Sequence, residues 1–430
     1  MRSKSDKKKS LVPRLRFPEF REAGAWEKKR LGTQGGFLTP LSGKSAKDFD
    51  AGDAKFIPYM NVFSNTFTDI QDLRSVIITD DESQNAVAKG DVFFTVSSET
   101  PEEAGMSSVL LGDVDRCYLN SFCALFRFDD HLSPNLIFLG YLLRSRSVRC
   151  HLSRGAQGAT RYNISKLVFK ELPLVFPLAK EQQKIAHCLS SLDEVIGLQA
   201  KKVQALKQHK KGLMQQLFPA EGETTPRLRF PEFREAGAWE VRRLGEIGKI
   251  SKGKGISKSD IKPNGALPCI RYGELYTHYG EVIRDVVSFT DANPGNLVLS
   301  EENDVIIPAS GETKEDIATA SCVSVKGVAL GGDLNIFYSP MNGMFLAYYI
   351  RGNLKFEISK VAQGNSVVHL YTTQLEKLKL AVPPYPKEQQ KIAHCLSSLD
   401  EVIGLESDKL DALKNLKKGL MQQLFPQEVA

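Results

Sequence analysis

The stretch that decides the fold is KEQQKIAHCLSSLDEVIGL, which occupies residues 180–198 and recurs, letter for letter, at 387–405. A second stretch, PRLRFPEFREAGAWE, occupies 13–27 and recurs at 226–240. Copies that return in the same order indicate an internal repeat. The chain is therefore predicted to consist of two halves that are built alike.

Each copy of KEQQKIAHCLSSLDEVIGL opens a long segment in which apolar residues follow one another by steps of four and three, the heptad spacing of a coiled coil. A third copied stretch, KKGLMQQLFP, closes both segments, at 210–219 and 417–426. The predicted seam residues are Ile185, Leu189, Leu192, Ile196, Leu206 and Leu213 in the first segment and Ile392, Leu396, Leu399, Ile403, Leu413 and Leu420 in the second. A helix from Glu181 to Phe218 would be about 57 Å long. We predict that the two helices pack antiparallel as an intramolecular coiled coil; two separate amphipathic helices, each covering its own domain, are the alternative.

Polar residues interrupt both seams at matching places. They are Gln199 and Lys210 in the first helix and Glu406 and Lys417 in the second. Antiparallel packing would allow crosswise pairs, so we predict that Gln199 lies near Lys417 and Glu406 near Lys210, and that these pairs fix the register.

The segments between the copies differ in sequence but share a layout. Residues 35–176 and 247–382 both contain short apolar runs separated by Gly, Pro, Asn and Asp, which favour strands. Ala-Gln-Gly recurs at 156–158 and 362–364. One scaffold that carries two different sets of loops is what two readers of different targets would need.

The predicted fold class is mixed α/β: two similar globular domains separated by two long antiparallel helices, with a pseudo-twofold internal repeat. The predicted boundaries are a basic N-terminal tail (1–12), a first domain (13–177), a first copied helix (178–218), a linker (219–226), a second domain (227–385), a second copied helix (386–426) and a C-terminal tail (427–430).

The composition is that of a soluble globular protein. The chain has 430 residues, with 57 basic and 51 acidic side chains, and the net charge of +6 permits DNA contact without requiring it. Its seven cysteines form no Cys-x-x-Cys pair, so neither a zinc site nor a disulfide framework is indicated. No apolar run has the length of a membrane span or a signal peptide, so a cytoplasmic location is expected.

Catalytic motifs are not found in the sequence. SGKS at 42–45 resembles the end of a phosphate-binding loop, but the first glycine of that motif would fall at Leu38. SKGKGISK, from Ser251, is basic and glycine-rich without the strand, glycine spacing and later acid of a dinucleotide site. Neither a histidine pair at metal spacing nor a nucleophile elbow is present. We therefore expect no catalysis, no metal and no bound cofactor in this chain.

The chain runs twice through one order: the copied PRLRFPEF stretch, which we call the signature, then a variable domain, then the EQQKIA helix. This order resembles that of the specificity subunit of type I restriction-modification enzymes. The resemblance covers Pro13 to Pro426, and its most specific marks are the two copies of PRLRFPEF and of EQQKIAHCLSSLDEVI, the latter following LPLVFPL or LKLAVPPYP. It implies two target-recognition domains, each reading one half of a bipartite, asymmetric DNA site. It further implies that the helices set the spacer, that two methyltransferase subunits dock on the copied parts, and that restriction subunits join through the methyltransferase core.

The resemblance also implies that the methyl donor and ATP are bound by the partner subunits. Two other functions stay open: an autonomous DNA-modifying enzyme, which the missing motifs oppose, and a coiled-coil adaptor without direct DNA readout, which the two divergent but equivalent domains oppose.

Candidate DNA contacts lie in polar loops rich in the side chains that bind base edges and phosphates. In the first domain they are Ser97, Ser98, Arg154, Gln157, Thr160, Arg161, Tyr162 and Asn163. In the second domain they are Lys252, Lys254, Lys258, Arg271, Tyr272, Gln363, Asn365, His369 and Tyr371. The resemblance supports the loops more than any single residue, and for each charged side chain a merely solvated role is the alternative.

Overall fold

The computed structural model describes residues 11–364 and 367–427. They divide into two compact units. The first unit comprises the chain up to Gln199 together with the stretch from Lys409 onward, and the second runs from Ala200 to Asp408. The two long helices span Ala179–Leu217 and Pro386–Leu424, so each contributes one part to each unit. The predicted basic tail lies, apart from its last two residues, outside the described residues.

The first unit is built on a four-stranded antiparallel sheet with the strand order Gly35–Leu38, Cys123–Phe128, Val92–Thr95, Ser107–Val109. A three-stranded sheet contains Arg74–Val76, Phe49–Ile57 and Cys117–Leu119, and two-stranded ribbons pair Glu27–Arg30 with Pro173–Phe176 and Ser97–Ser98 with Tyr162–Asn163. Its shorter α-helices are Tyr59–Ser64, Leu136–Leu143, Arg146–Gly155 and Lys166–Lys170.

An apolar core covers each face of this sheet, because side chains alternate between the two faces along each strand. Val92 and Phe94 belong to one apolar core, while Phe93 between them belongs to another. Neighbouring residues of a strand point to opposite faces, so a continuous apolar run serves two cores at once. The short runs of the sequence, such as DVFFTV, therefore form strands that are buried on both sides.

The second unit repeats this strand order and adds one strand. Its five-stranded sheet has the order Lys249–Lys252, Leu334–Tyr338, Asp304–Pro308, Ser321–Val323, Val282–Ile283. A three-stranded sheet contains Ser288–Thr290, Leu267–Ile270 and Ala329–Leu330, and ribbons pair Glu240–Arg243 with Lys379–Val382 and Ser310–Gly311 with Val368–His369. Its shorter α-helices are Leu244–Ile247, Glu274–Thr277, Lys314–Ile317, Gly343–Asn353, Lys355–Val361 and Thr372–Leu375.

The registers of the two units also correspond. Val92 lies opposite Phe126 in the first unit, and Val305 lies opposite Phe337 in the second. The prediction of a mixed α/β fold with two similar domains is confirmed.

In each unit an ion pair joins the copied signature to the copied long helix. The Arg16 guanidinium donates two hydrogen bonds, of 2.8 and 2.7 Å, to the carboxylate of Glu181, which is fully buried. Arg229 does the same to Glu388, at 2.7 and 2.8 Å. A bidentate, charge-assisted pair fixes both distance and orientation. The two stretches are therefore copied together because each completes the other.

Within each unit the parts of the two long helices run antiparallel. In the second unit Lys202 pairs with Glu406 and Lys210 pairs with Asp400, so residue numbers rise along one helix as they fall along the other. All twelve predicted seam residues are buried or half-buried.

The predicted crosswise pairs are corrected by the structure. Lys417 lies 2.5 Å from Asp193 rather than beside Gln199, and Lys210 lies 2.6 Å from Asp400 rather than beside Glu406. The lysines pair with these acids because Asp193 and Asp400 lie beside the seam, where tyrosines of the domains fix their carboxylates. Tyr141 donates a hydrogen bond to Asp193, and Tyr348 donates one to Asp400. Those tyrosines lie in the variable segments, where the heptad pattern carries no information.

The end of each long helix completes the core of one unit. In the first unit the ring of Phe425, just past the second helix, lies 6.1 Å from that of Trp26 and 5.6 Å from that of Phe138. In the second unit Phe218, just past the first helix, packs against Trp239 in the same way, at 6.5 Å. Both phenylalanines are 1% exposed.

Candidate nucleic-acid interface

The first unit presents a tight loop, residues 157–163, which we call the first hairpin. Its ends are closed by two backbone hydrogen bonds between Gln157 and Asn163, of 2.9 and 2.8 Å. Gly158 has φ +148°, and a Cβ there would lie 2.0 Å from the carbonyl oxygen of Arg161. Only glycine fits this position. Of the predicted contacts, Gln157, Thr160, Arg161 and Asn163 are exposed here and Tyr162 is half-buried.

The remaining predicted contacts of the first unit surround this hairpin. Arg154 is exposed and precedes the hairpin at the end of the helix Arg146–Gly155. Ser97 and Ser98 form the strand that pairs with the hairpin residues 162 and 163. Both serines are buried, at 8% and 6% exposure, and the Ser98 hydroxyl donates to the carbonyl of Thr100. They support the hairpin from beneath and are not part of its exposed surface, because pairing with a distant strand covers them.

The second unit closes a corresponding loop in the same way; we call residues 363–369 the second hairpin, of which 363–364 and 367–369 are described. Gln363 and His369 exchange backbone hydrogen bonds of 3.0 and 2.7 Å. Gly364 has φ +117°, and a Cβ there would lie 2.1 Å from the Val367 carbonyl oxygen. His369 contacts the hydroxyl of Ser310 through Nδ1 at 3.1 Å, and the exposed ring of Tyr371 lies 6.4 Å from the imidazole. The predicted contact Asn365 lies outside the described residues.

The two hairpins share their closing hydrogen bonds and the glycine at their second position, and they differ in side chains. Counting from the shared Gln-Gly, Arg161 corresponds to Val367 and Asn163 to His369. The first hairpin thus offers a guanidinium and an amide where the second offers an isopropyl group and an imidazole. The scaffold is constant while the donors and acceptors change.

Three exposed lysines lie at the end of the strand Lys249–Lys252 and in the segment that follows it, which together we call the lysine loop. They are Lys252, Lys254 and Lys258. The Lys254 N–H donates to the carbonyl of Leu330, and the Gly332 N–H donates to the carbonyl of Gly255, both at 2.9 Å. The turn around Gly332 therefore lies against this lysine loop.

That turn also contacts the strand beneath the second hairpin. The Ala309 N–H donates to the carbonyl of Asp333 at 2.8 Å, and the Ser310 hydroxyl lies 3.4 Å from the Asp333 carboxylate. The structure thus brings the lysine loop and the strand beneath the second hairpin into contact with the same turn. Their spacing in the sequence did not predict this.

Arg271 and Tyr272, predicted as DNA contacts, are engaged within the second unit. Arg271 is half-buried and donates to Glu274 at 3.2 Å, while its buried Nε has no hydrogen-bond partner among the described residues. Tyr272 packs half-buried against an apolar core. Side-chain type alone predicted these two residues as contacts, and Glu274, the acid that binds the guanidinium, lies three positions further along the chain.

The structure adds one exposed position beside each hairpin that the sequence reasoning missed. It is Phe122 in the first unit, 59% exposed, and Asp333 in the second. Phe122 follows Asn120 and Ser121, and an apolar residue after two turn-forming residues was the signal available in the sequence.

Copied apolar residues are exposed on the long helices. Val195 and Leu198 are 47% and 60% exposed in the first unit, and their copies Val402 and Leu405 are 42% and 71% exposed in the second. Within residues 11–364 and 367–427, the structure contains no cluster of three or more His, Cys, Asp or Glu that could hold a metal. None of the helices in this part of the chain is both long and apolar enough to cross a membrane.

Two alike units that each present an exposed hairpin with its own side chains define a two-part recognition protein. The family model described as the type I restriction modification DNA specificity domain matches residues 26–208 and 237–415. The chain belongs to this family, whose domain recognises DNA targets, and the resemblance predicted from the copied stretches is confirmed.

Named relatives agree with this assignment. The chain is 25% identical to the type I restriction enzyme MjaVIII specificity subunit of Methanocaldococcus jannaschii, over 67% of this chain and 69% of that protein. It is 24% identical to the MjaIX specificity subunit of the same organism, over 67% of each chain. The crystal structure of the S subunit of a type I restriction-modification system from M. genitalium has the same fold, with a TM-score of 0.59 at 17% identity over 97% of this chain and 100% of that one.

Proposed function

We propose that this specificity subunit reads a bipartite, asymmetric DNA site, each unit contacting one half-site through its hairpin. The observation that carries the proposal is the pair of hairpins closed by identical backbone hydrogen bonds, with Arg161 and Asn163 on one and Val367 and His369 on the other. Sequence is distinguished at base edges by the donors, acceptors and apolar groups of side chains. Different side chains on one backbone would therefore select different bases.

The exposed lysines and arginines beside the hairpins would hold the phosphates. Lys252, Lys254 and Lys258 are exposed in the segment whose backbone contacts the turn around Gly332, and the exposed Arg154 precedes the first hairpin. Phosphate contacts position a protein on the duplex without specifying sequence. These residues would contribute affinity and salt dependence, while the hairpins contribute the choice of bases.

The long helices would set the spacer and carry the partners. Each has 39 residues, a length of about 58 Å, and contributes to both units. The exposed pairs Val195 with Leu198 and Val402 with Leu405 lie on identical stretches, so they would bind two copies of one partner, the methyltransferase subunit. Restriction subunits would join through that methyltransferase core.

Catalysis would belong to those partners. The chain would supply recognition only, and the methyl donor and ATP would be bound by the methyltransferase and restriction subunits. Methyl transfer by the purified chain alone would instead support an autonomous enzyme. A complex with methyltransferase subunits that binds no DNA would favour a coiled-coil adaptor.

The test is to co-express the chain with its methyltransferase subunit and to map the methylated sites across a genome. We expect Arg161→Ala to relax or weaken recognition of one half-site only, by about 10- to 100-fold if Arg161 contacts a base. His369→Ala, the matched variant in the second hairpin, should affect the other half-site only. Equal losses at both half-sites from variants that unfold at the same temperature as the wild type would contradict the proposal, because neither hairpin would then serve one half-site only.

A further inference from the structure

We propose that Phe122 and Asp333 occupy one equivalent position in the two units and each determine one base of the recognised site. Phe122 would contact the methyl group of a thymine in the half-site of the first unit. Asp333 would accept a hydrogen bond from the amino group of a cytosine in the half-site of the second. This inference rests on the proposed function and names the chemistry of one base in each half.

The backbone connects Phe122 directly to the first hairpin. The Val96 N–H donates to the carbonyl of Phe122 at 3.3 Å, and the Ile164 N–H, one residue past the hairpin, donates to the carbonyl of Val96 at 2.9 Å. The turn before Phe122 is held by the Asn120 N–H, which donates to the carbonyl of Ile57 at 3.2 Å. Phe122 is therefore one strand away from the hairpin.

The same bonds place Asp333 beside the second hairpin. The Ala309 N–H donates to the carbonyl of Asp333 at 2.8 Å, and the Leu370 N–H donates to the carbonyl of Ala309 at 2.9 Å. The Gly331 N–H donates to the carbonyl of Ile270, also at 2.9 Å. Each bond of the first unit has its counterpart, so the two positions are equivalent although no sequence motif marks them.

The side chain of Phe122 gains little from its own unit. It is 59% exposed, and it is the only exposed phenylalanine, tyrosine or tryptophan among the residues that the structure describes in this unit. Its position is set by the backbone, since its N–H donates to Oδ1 of Asn120 at 2.8 Å. Burial of a phenylalanine side chain stabilises a protein, and at 59% exposure most of this gain is not realised here. A fixed, exposed apolar group next to a recognition loop is suited to contact the C5 methyl group of thymine, which lies in the major groove.

Asp333 has the opposite chemistry in a basic neighbourhood. It is exposed, and the turn that carries it contacts the loop of Lys252 and Lys254. A carboxylate is repelled by phosphates, so on a DNA-facing surface it gains from a base that offers a donor, and the cytosine N4 amino group is the donor that Asp and Glu accept from in the major groove. The lysines would hold the backbone while Asp333 selects the base.

Single exposed side chains are common on protein surfaces. The test is therefore made on base preference, using the complex of the full chain with its methyltransferase subunit and genome-wide maps of methylation. Phe122→Ala should reduce the preference for thymine by about 5-fold or more at one position, within the half-site that Arg161→Ala affects. Phe122→Leu, which keeps an apolar group, should retain most of that preference.

Asp333→Ala should relax one cytosine in the other half-site, and Asp333→Asn should shift that position toward adenine, because an amide pairs with adenine N6 and N7. Unchanged base preferences in both alanine variants would overturn the inference and leave the proposed function standing. Changes at a position that holds no thymine or no cytosine, or equal losses in both half-sites, would also overturn it. A wild-type complex that methylates no bipartite site would overturn the proposed function together with the inference.

Discussion

Asp91 and Asp304 stand at equivalent places in the two units but have different surroundings. Arg127 donates two hydrogen bonds of 2.7 Å to the Asp91 carboxylate, whereas the second unit has Tyr338 at the position of Arg127. Asp304 is 4% exposed and accepts from the backbone N–H of Glu301. Burial raises the pKa of Asp304 to about 6, against an ordinary value of 3.8. Asp304 thus keeps the carboxyl group of Asp91 but lacks the arginine that pairs with Asp91 in the first unit.

The pH dependence of stability should reveal this carboxyl group. Because the folded protein holds the proton more tightly than the unfolded chain, the stabilising contribution is full below about pH 3.8 and is lost as the pH rises through about 6. Asp304→Asn removes this titration and keeps an acceptor for Glu301. We expect the free energy of unfolding of the variant, relative to the wild type, to rise by about 2 kcal/mol between pH 4 and pH 7. Chemical denaturation at a series of pH values measures it, and a difference that does not vary with pH would contradict it.

The long helices show what a pattern within one element can predict. The heptad spacing predicted two helices and their buried face, because that information lies within each helix. The register depended on Asp193 and Tyr141, and their contact links the helix to a domain more than fifty residues away in the chain. For the hairpins, too, the sequence predicted the local structure but not the contacts with distant segments. Glycine punctuation predicted a loop, but the burial of Ser97 and Ser98 followed from a strand pairing that no local pattern contains.

The lysine of the seam should matter more than a lysine at the surface of the same helix. Lys417 pairs with Asp193 and lies over the ring of Tyr141, 5.2 Å from its centroid. We expect Lys417→Met to lower the free energy of unfolding by about 1 to 2 kcal/mol, since it leaves a half-buried carboxylate without its cation. Lys414→Met is the matched control, because Lys414 is exposed and, among the described residues, its ion pair is with Asp411 on its own helix; it should cost less than about 0.5 kcal/mol. Equal effects in thermal denaturation would refute the role of this ion pair.

At the scale of the whole molecule, each unit is assembled from segments that are distant in the chain. Phe425 belongs to the core of the first unit with Trp26 and Phe138, and Phe218 belongs to the core of the second with Trp239. The copied KKGLMQQLFP stretches predicted that both helices end alike. They did not predict that each helix starts beside one domain and ends in the core of the other.

This assembly can be tested with two matched substitutions. Phe425→Ala should destabilise the first unit, and Phe218→Ala the second, each by about 3 to 5 kcal/mol. Hydrogen exchange followed by mass spectrometry reports on each unit separately: faster exchange should appear in strands 92–95 and 123–128 for the first variant and in strands 304–308 and 334–338 for the second. Faster exchange near the substituted residue in sequence, without an effect on these strands, would show that the helix ends do not complete the cores.

The position of Phe425 has a consequence for synthesis on the ribosome. The strands of the first unit end at Phe176, and nearly 250 further residues must be translated before the residue that covers Trp26 is made. At about 5 to 20 residues per second, the nascent chain waits about 12 to 50 s with this part of its core open. The unit whose strands are translated first is thus the last to have its core completed. A premature stop codon in the final helical turn would leave the core around Trp26 incomplete.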